Sequence, residues 1–144
     1  MQMQNINSGR VLALDIGSVR IGAAISDPSR IIAQGLGVWS AENFLDEFIA
    51  CVEKYQPSLI LVGLPNRTDG KKSEACENIL RIISDLKTQF PDLNFETWDE
   101  RFTTVIAQRV LLEADVSRKK RRDKIDKLAA VLILESWLEN RKIL

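Results

Sequence analysis

The order of apolar and polar positions along the chain predicts five β-strands. Val11 to Gly17 and Ile21 to Asp27 are two short β-rich runs joined by a tight polar link, which indicates a hairpin. Ile32 to Trp39 predicts a third strand. Leu59 to Gly63 is a continuous apolar run of the kind found in buried parallel strands. The last predicted strand is Phe95 to Asp99.

Four segments have the apolar spacing or the boundary residues of helices. They are Ala41 to Tyr55, Ser73 to Gln89, Thr104 to Leu112 and Lys124 to Asn140. The order of elements predicts an α/β fold: a five-stranded mixed sheet, in which a three-strand antiparallel meander precedes parallel strands, with helices on both faces. The length of 144 residues predicts one domain over residues 1–144, with residues 1–9 as a flexible N-terminal extension.

The composition excludes several kinds of chemistry. The chain has no histidine, which excludes His-based zinc sites, Ser-His and Cys-His nucleophile pairs and imidazole acid–base catalysis. Cys51 and Cys76 do not have a metal-binding spacing. No run is apolar enough to cross a membrane, and Met1 to Arg10 lacks a signal-peptide core, so we expect a cytoplasmic location. Hydrolytic chemistry must therefore rest on carboxylates, lysines or a metal.

Asp15 is a lone carboxylate inside an apolar strand. Removing a carboxylate from water is costly unless a cation or hydrogen-bond donors meet it. We therefore expect Asp15 to contact a metal, a phosphate or an ordinary polar partner. Ligands of α/β sheets bind beyond the carboxyl ends of parallel strands, where Gly63 to Pro65 and Asp99 to Arg101 lie.

Three further carboxylates are candidates for the same site. Asp99 and Glu100 lie at the end of the last strand. They are either solvent-exposed residues at a strand end or ligands of the site. Asp126 shares a helical face with apolar positions only, although a capping box with Asp123 as the N-cap is an alternative. If the last helix packs beside the first strand, these carboxylates converge with Asp15. An oxygen-only ligand set suits Mg²⁺ or Mn²⁺, and a two-metal site hydrolyses phosphodiesters without histidine.

A basic segment lies immediately around Asp126, although the formal net charge of the whole chain is zero. Ser117 to Lys127 contains seven basic residues against two acidic ones. Lys and Arg bind phosphates without reading sequence, and the adjacent carboxylate favours a nucleic-acid interface over a solvated face. We expect the three tryptophans to be core residues rather than base-stacking ones. The predicted nucleic-acid-binding residues are Arg20, Arg101, Arg118, Lys119, Lys120, Arg121, Arg122 and Lys127.

Four motifs in this order resemble the YqgF/RuvX family of pre-16S rRNA nucleases, which are related to Holliday junction resolvases and have an RNase H-like fold. The resemblance covers about Val11 to Asn140. The motifs are Leu14 to Gly17 with Arg20 to Gly22 and Ser26-Asp27, Val62 to Pro65 with Asp69-Gly70, Asp99 to Thr104, and Val116 to Lys120 with Asp126 to Ala130.

The resemblance implies a metal-dependent nuclease that acts on the 5′ end of the small-subunit ribosomal RNA precursor. It implies catalytic roles for Asp15, Asp99, Glu100 and Asp126. The implied metal ligands are Asp15, Asp126 and one of the adjacent pair, with Glu100 as the first choice and Asp99 as the alternative. Two features depart from the pattern. The related resolvases carry an acid on the strand that reads Leu61 to Gly63 here, and Asn66 to Thr68 differs from the expected Leu-Asn-Met type.

Other functions remain open at this point. A resolvase acting on branched DNA would use the same carboxylates, and a non-catalytic module binding RNA or a ribosome precursor would keep the fold. The Asp15 to Ser18 turn also resembles the phosphate loop of actin-like ATPases and sugar kinases, but those proteins need two such domains. We expect structured RNA as the main partner, no membrane, and a monomer or a homodimer.

Overall fold

The computed structural model describes residues 7–65, 74–99 and 118–143, the last range with side chains from 128 to 141. The elements in chain order are β1 (Val11–Ile16), β2 (Arg20–Ser26), β3 (Ala33–Ser40), α1 (Phe44–Tyr55), β4 (Leu59–Leu64), α2 (Glu74–Gln89), β5 (Phe95–Asp99) and α3 (Arg118–Ile143). The predicted helix Thr104 to Leu112 lies outside the described residues, as does the loop Asn66 to Lys72.

The strands form one five-stranded mixed sheet in the order β3-β2-β1-β4-β5. β1 pairs antiparallel with β2, and β2 pairs antiparallel with β3. β4 pairs parallel with β1 and with β5. The predicted antiparallel meander followed by parallel strands is therefore confirmed. It follows from the tight β1–β2 turn and from the helices that separate the later strands.

Two hydrophobic layers cover the two faces of the sheet. On one face, α1 and α2 place Phe48, Ile79 and Ile83 against Leu12 and Leu14 of β1. The alternate residues of β1 lie on the other face, since successive side chains of a strand point to opposite sides. The prediction of helices on both faces is confirmed.

The second face is covered by α3. Ala130, Ile133 and Leu134 of α3 are fully buried against Val11 and Ala13 of β1. Over the described residues, no helix combines the length and the apolar character that crossing a membrane requires.

The last helix starts six residues earlier than the sequence predicts, at Arg118 rather than Lys124. Lysine and arginine are good helix formers, so the basic segment continues the helix instead of preceding it. Asp123 therefore lies inside the helix and is not its N-cap. This excludes the capping box as the reason for a carboxylate at Asp126, because that alternative required the helix to begin at Asp123.

Candidate active site

Asp15 lies at the carboxyl end of β1, on the face of the sheet that α3 covers. Its side chain alternates with those of Leu14 and Ile16, and it shares the face of Val11 and Ala13, which pack against α3. Asp15 is half-buried, whereas the four β1 residues before it are fully buried. The sequence therefore holds one carboxylate at the edge of an apolar layer, where a cation or donors can approach it from the open end of the sheet.

Asp99 ends β5 two strands away from Asp15. Leu64 of β4 pairs with Asp99 of β5. Val62 of β4 pairs with Leu14 of β1 and with Thr97 of β5. The residues that follow these two, Asp15 and Trp98, therefore lie at the same level of the sheet. With neighbouring strands separated by about 4.8 Å, the Cα atoms of Asp15 and Asp99 are roughly 10 Å apart. The two carboxylates thus lie at the same edge, as the sequence predicts.

The pleat of β5 places Asp99 on the opposite face from Asp15. Phe95 packs on the face of α1 and α2. Glu96 accepts a hydrogen bond from Trp137 Nε1 of α3 at 3.0 Å, and Trp98 Nε1 donates to Ser136 Oγ of α3 at 3.2 Å. Because alternate residues share a face, Asp99 lies with Phe95 and away from α3. The structure brings Asp15 and Asp99 to one edge without bringing them to one face.

The direction of α3 carries its N-terminal half toward the Asp15 edge. Its C-terminal residues Trp137 and Leu138 lie at the opposite edge, beside Leu59 and Glu96 at the start of β4 and β5. From there the helix packs back across β1, β2 and β3. At 1.5 Å per residue, Asp126 lies about 16 Å along the helix from Trp137. Along β1, Asp15 lies about 13 Å from the first residue of the strand, so the helix is long enough for Asp126 to reach the level of Asp15.

The β1–β2 hairpin closes this edge of the sheet. Gly17 donates a backbone hydrogen bond to the Arg20 carbonyl at 2.9 Å, and Ala41 donates one to the Val19 carbonyl at 2.9 Å. A Cβ atom on Gly17 would come within 2.7 Å of the same Arg20 carbonyl, so the turn requires glycine. Arg20 begins β2 opposite Ser40 and is half-buried. The predicted phosphate contact Arg20 therefore lies at the edge that carries Asp15.

The remaining predicted site residues lie beyond the described side chains. Glu100 and Arg101 fall outside the described residues, and Asp126 and the basic segment have a placed helix but no described side chains. Over residues 7–65, 74–99 and 128–141, no three acidic or cysteine side chains form a metal-binding group. Asp15 itself is a hard oxygen donor of the kind that Mg²⁺ and Mn²⁺ prefer.

All three tryptophans are buried or half-buried. Trp137 is 2% exposed, and Trp39 and Trp98 are half-buried. Sequence reasoning missed a second polar region around Trp137, at the opposite edge of the sheet, where Arg30 and Arg141 lie over its ring. These residues are more than a hundred positions apart in the chain, and no spacing pattern connects them.

Residues 9–140 match the model of the RuvX family, which is described as a Holliday junction resolvase. A protein of Thermoanaerobacter pseudethanolicus named "Putative pre-16S rRNA nuclease" is 43% identical over 92% of this chain and 98% of its own length. A protein of Koribacter versatilis with the same name is 44% identical over 94% of this chain and 90% of its own length.

The fold resembles that of solved resolvase structures. Thermus thermophilus RuvC in complex with a Holliday junction substrate superposes with a TM-score of 0.53 at 11% identity, over 92% of this chain and 96% of RuvC. That likeness concerns the fold alone and identifies it as RNase H-like. The family match over nearly the whole chain and the relatives above 40% identity lead to one conclusion: the chain belongs to the RuvX family.

Proposed function

We propose that this chain is a divalent-metal-dependent nuclease that hydrolyses phosphodiester bonds at the 5′ end of precursor 16S ribosomal RNA, in the cytoplasm. The observation that carries the proposal is the position of Asp15. It is half-buried at the carboxyl edge of β1, on the face covered by the helix that contains Asp126 and the basic segment. The names of the curated relatives support the choice of substrate.

The proposed metal ligands are Asp15, Glu100 and Asp126. Asp15 and Asp126 come from β1 and α3, which pack against each other. Asp99 lies on the face of the sheet opposite to Asp15 and α3, which favours its neighbour in the sequence, Glu100, as the third ligand. Bound Mg²⁺ or Mn²⁺ would supply activation of the attacking water and stabilisation of the leaving oxygen.

The basic residues of α3 would hold the substrate. Arg118, Lys119, Lys120, Arg121, Arg122 and Lys127 occupy the half of α3 that runs toward the Asp15 edge. Their charges would clamp the phosphates on both sides of the scissile bond, and the positive end of the helix dipole adds to this attraction. Arg20 would contact the backbone from the hairpin, and Arg101 would offset the developing negative charge.

Cleavage of a precursor 16S RNA fragment by the purified protein, with Mn²⁺ or Mg²⁺, tests the proposal. Asp15→Asn and Asp126→Asn are expected to lose at least about a hundredfold in single-turnover rate, because each removes a ligand charge. Asp85→Asn, an exposed carboxylate of α2, is the matched control and should cleave like the wild type. Wild-type rates in both site variants would refute the assignment.

The description of the family and the likeness to RuvC favour a second candidate, a resolvase acting on branched DNA. It would use the same carboxylates, so the substrates must be compared in one assay. Junction resolution requires two active sites, so a monomer by light scattering would count against it. Tight RNA binding that survives every carboxylate substitution, without cleavage under any metal, would instead indicate a non-catalytic module.

A further inference from the structure

A second cleft opens at the amino ends of β4 and β5, at the opposite edge of the sheet from Asp15. It has a volume of about 820 Å³, within the roughly 300–1,000 Å³ range of small-molecule sites. We call it the basal cleft. The β2–β3 loop, the end of α2, the loop before β5 and the end of α3 form its walls. The lining residues that could contact a ligand are Arg30, Lys87, Pro91, Leu93, Glu96 and Arg141.

Three cations line the basal cleft against a single carboxylate, among the described lining residues. The cations are Arg30, Lys87 and Arg141, and the carboxylate is Glu96. Glu96 is already engaged: its Oε1 accepts a hydrogen bond from Arg141 at 2.7 Å, and its Oε2 accepts one from Trp137. Lys87 is exposed and forms no ion pair with any described residue. The described lining of the cleft is therefore more basic than acidic.

The two guanidinium groups are held close together although they repel each other. Arg30 and Arg141 both lie over the Trp137 ring, at 5.4 Å and 4.6 Å from its centroid. Burial, followed by the charge of Arg141, lowers the pKa of Arg30. Stacking on the indole compensates part of this repulsion. An anion between the side chains would remove the remainder.

Helix ends explain part of this arrangement but not all of it. Lys87 and Arg141 lie near the C-termini of α2 and α3, where the helix dipole favours cations. Arg30 comes instead from the β2–β3 loop, in a left-handed conformation with φ of 58°, which is unfavourable for a non-glycine residue. Its Nε donates to the Gly9 carbonyl at 2.8 Å, and its Nη2 donates to Ser58 Oγ at 3.0 Å. The loop thus fixes a third cation at the cleft.

We propose that the basal cleft binds a small phosphomonoester of nucleotide size. A phosphomonoester dianion suits this predominantly basic lining, and Arg141 and Lys87 provide the charged donors that phosphate prefers. Pro91 and Leu93 supply an apolar wall against which a sugar or base can lie. Asn7 and Asn94 also line the cleft, and the Asn94 amide nitrogen donates to the Ser58 carbonyl at 3.3 Å.

This site is separate from the one proposed for cleavage. Glu96 and Asp99 are three residues apart along β5, which spans about 10 Å, and the buried layer under α3 fills the space between the two edges. The inference therefore does not depend on the nuclease function.

Isothermal titration calorimetry of the full chain with 5′-AMP, inorganic phosphate and adenosine tests the proposal, at low ionic strength and without divalent metal. We expect one equivalent of 5′-AMP to bind, phosphate to bind more weakly and adenosine not to bind. Arg141→Gln and Lys87→Gln should each weaken 5′-AMP binding about tenfold, the effect of losing one charged hydrogen bond. Lys54→Gln, which changes an exposed lysine in the last turn of α1, is the matched control and should leave binding unchanged.

Several results would overturn the proposal. One is the absence of 5′-AMP binding to the wild type at millimolar concentration, and another is an equal loss in the Lys54→Gln control. Binding of polyuridylate through Lys87 and Arg141 without binding of 5′-AMP would assign the cleft to a nucleic-acid backbone instead. Loss of 5′-AMP binding in Asp15→Asn would place the nucleotide at the other edge. Lys87 is exposed on α2, so its variant should fold and keep the test decisive.

Discussion

The two acidic residues at the end of β5 are expected to differ sharply in importance. Asp99 lies on the face of α1 and α2, away from Asp15, whereas Glu100 is the acidic residue proposed as a metal ligand. We therefore predict that Glu100→Gln abolishes metal-dependent cleavage, while Asp99→Asn has a small effect. Two adjacent acids in sequence would thus have different roles, for a reason that depends only on the pleat of the strand.

The size of the Asp99 effect follows from its distance. A metal beside Asp15 would lie roughly 10 Å from the Asp99 carboxylate, and the sheet would separate them. Asp99 is half-buried at the end of a strand, so water screens its charge. Coulomb's law in water then gives about 0.8 kcal/mol between a carboxylate and a divalent ion at this distance, or about fourfold in metal affinity. Physiological salt reduces the effect further.

The Glu100 effect should be much larger, because a direct ligand would be lost. Even residues that only support metal ligands cost about 10–100-fold when they are changed, so we expect at least a hundredfold for Glu100→Gln. Single-turnover cleavage against Mn²⁺ concentration measures both variants, and Mn²⁺ calorimetry provides a readout that does not require activity. Thermal unfolding serves as the control for folding. A hundredfold loss of cleavage rate in Asp99→Asn, together with wild-type activity in Glu100→Gln, would contradict the placement of Asp99 away from the metal.

Three further predictions concern stability and reactivity. Ser26→Ala should lower the free energy of unfolding, measured by urea denaturation, by about 1–3 kcal/mol, because Ser26 Oγ accepts a hydrogen bond from the buried Val11 N–H at 2.8 Å. The control Ser84→Ala, at an exposed position of α2, should change the free energy of unfolding little. The Asp27 carboxylate accepts three backbone N–H groups, led by that of Ile32, which lower its pKa below the usual 3.8. The stability that the Asp27 carboxylate contributes should be complete above pH 3.8 and should disappear as the pH falls through the lowered pKa. If the wild type at acid pH remains more stable than Asp27→Ala by the same margin as at neutral pH, this prediction is wrong. Burial raises the pKa of the Cys51 thiol to about 11, so iodoacetamide at pH 8 should modify it only after unfolding, as mass spectrometry can check.

The sequence by itself determined the strands, their order along the chain and one candidate site carboxylate. The apolar run Leu59 to Gly63 locates β4 within one residue, because a strand buried on both faces must be apolar on both, and the predicted bounds of β5 match the observed ones. The tight link before Arg20 predicts the hairpin, and the helical segments between later strands predict parallel pairing. Asp15 is evident in the sequence because a carboxylate among apolar residues is costly without a partner.

Tertiary structure decided which side chains share a face and which distant residues meet. The sequence leaves Asp99 and Glu100 open as alternatives, and only the packing of Phe95 and Glu96 against different helices shows that Asp99 faces away from Asp15. The basal cleft has no sequence signal, because Arg30 and Arg141 come from segments whose proximity depends on how α3 crosses the sheet. The spacing of apolar residues in a sequence indicates which side of its own helix or strand a residue occupies. Contacts between different helices and strands depend on how these pack together in three dimensions.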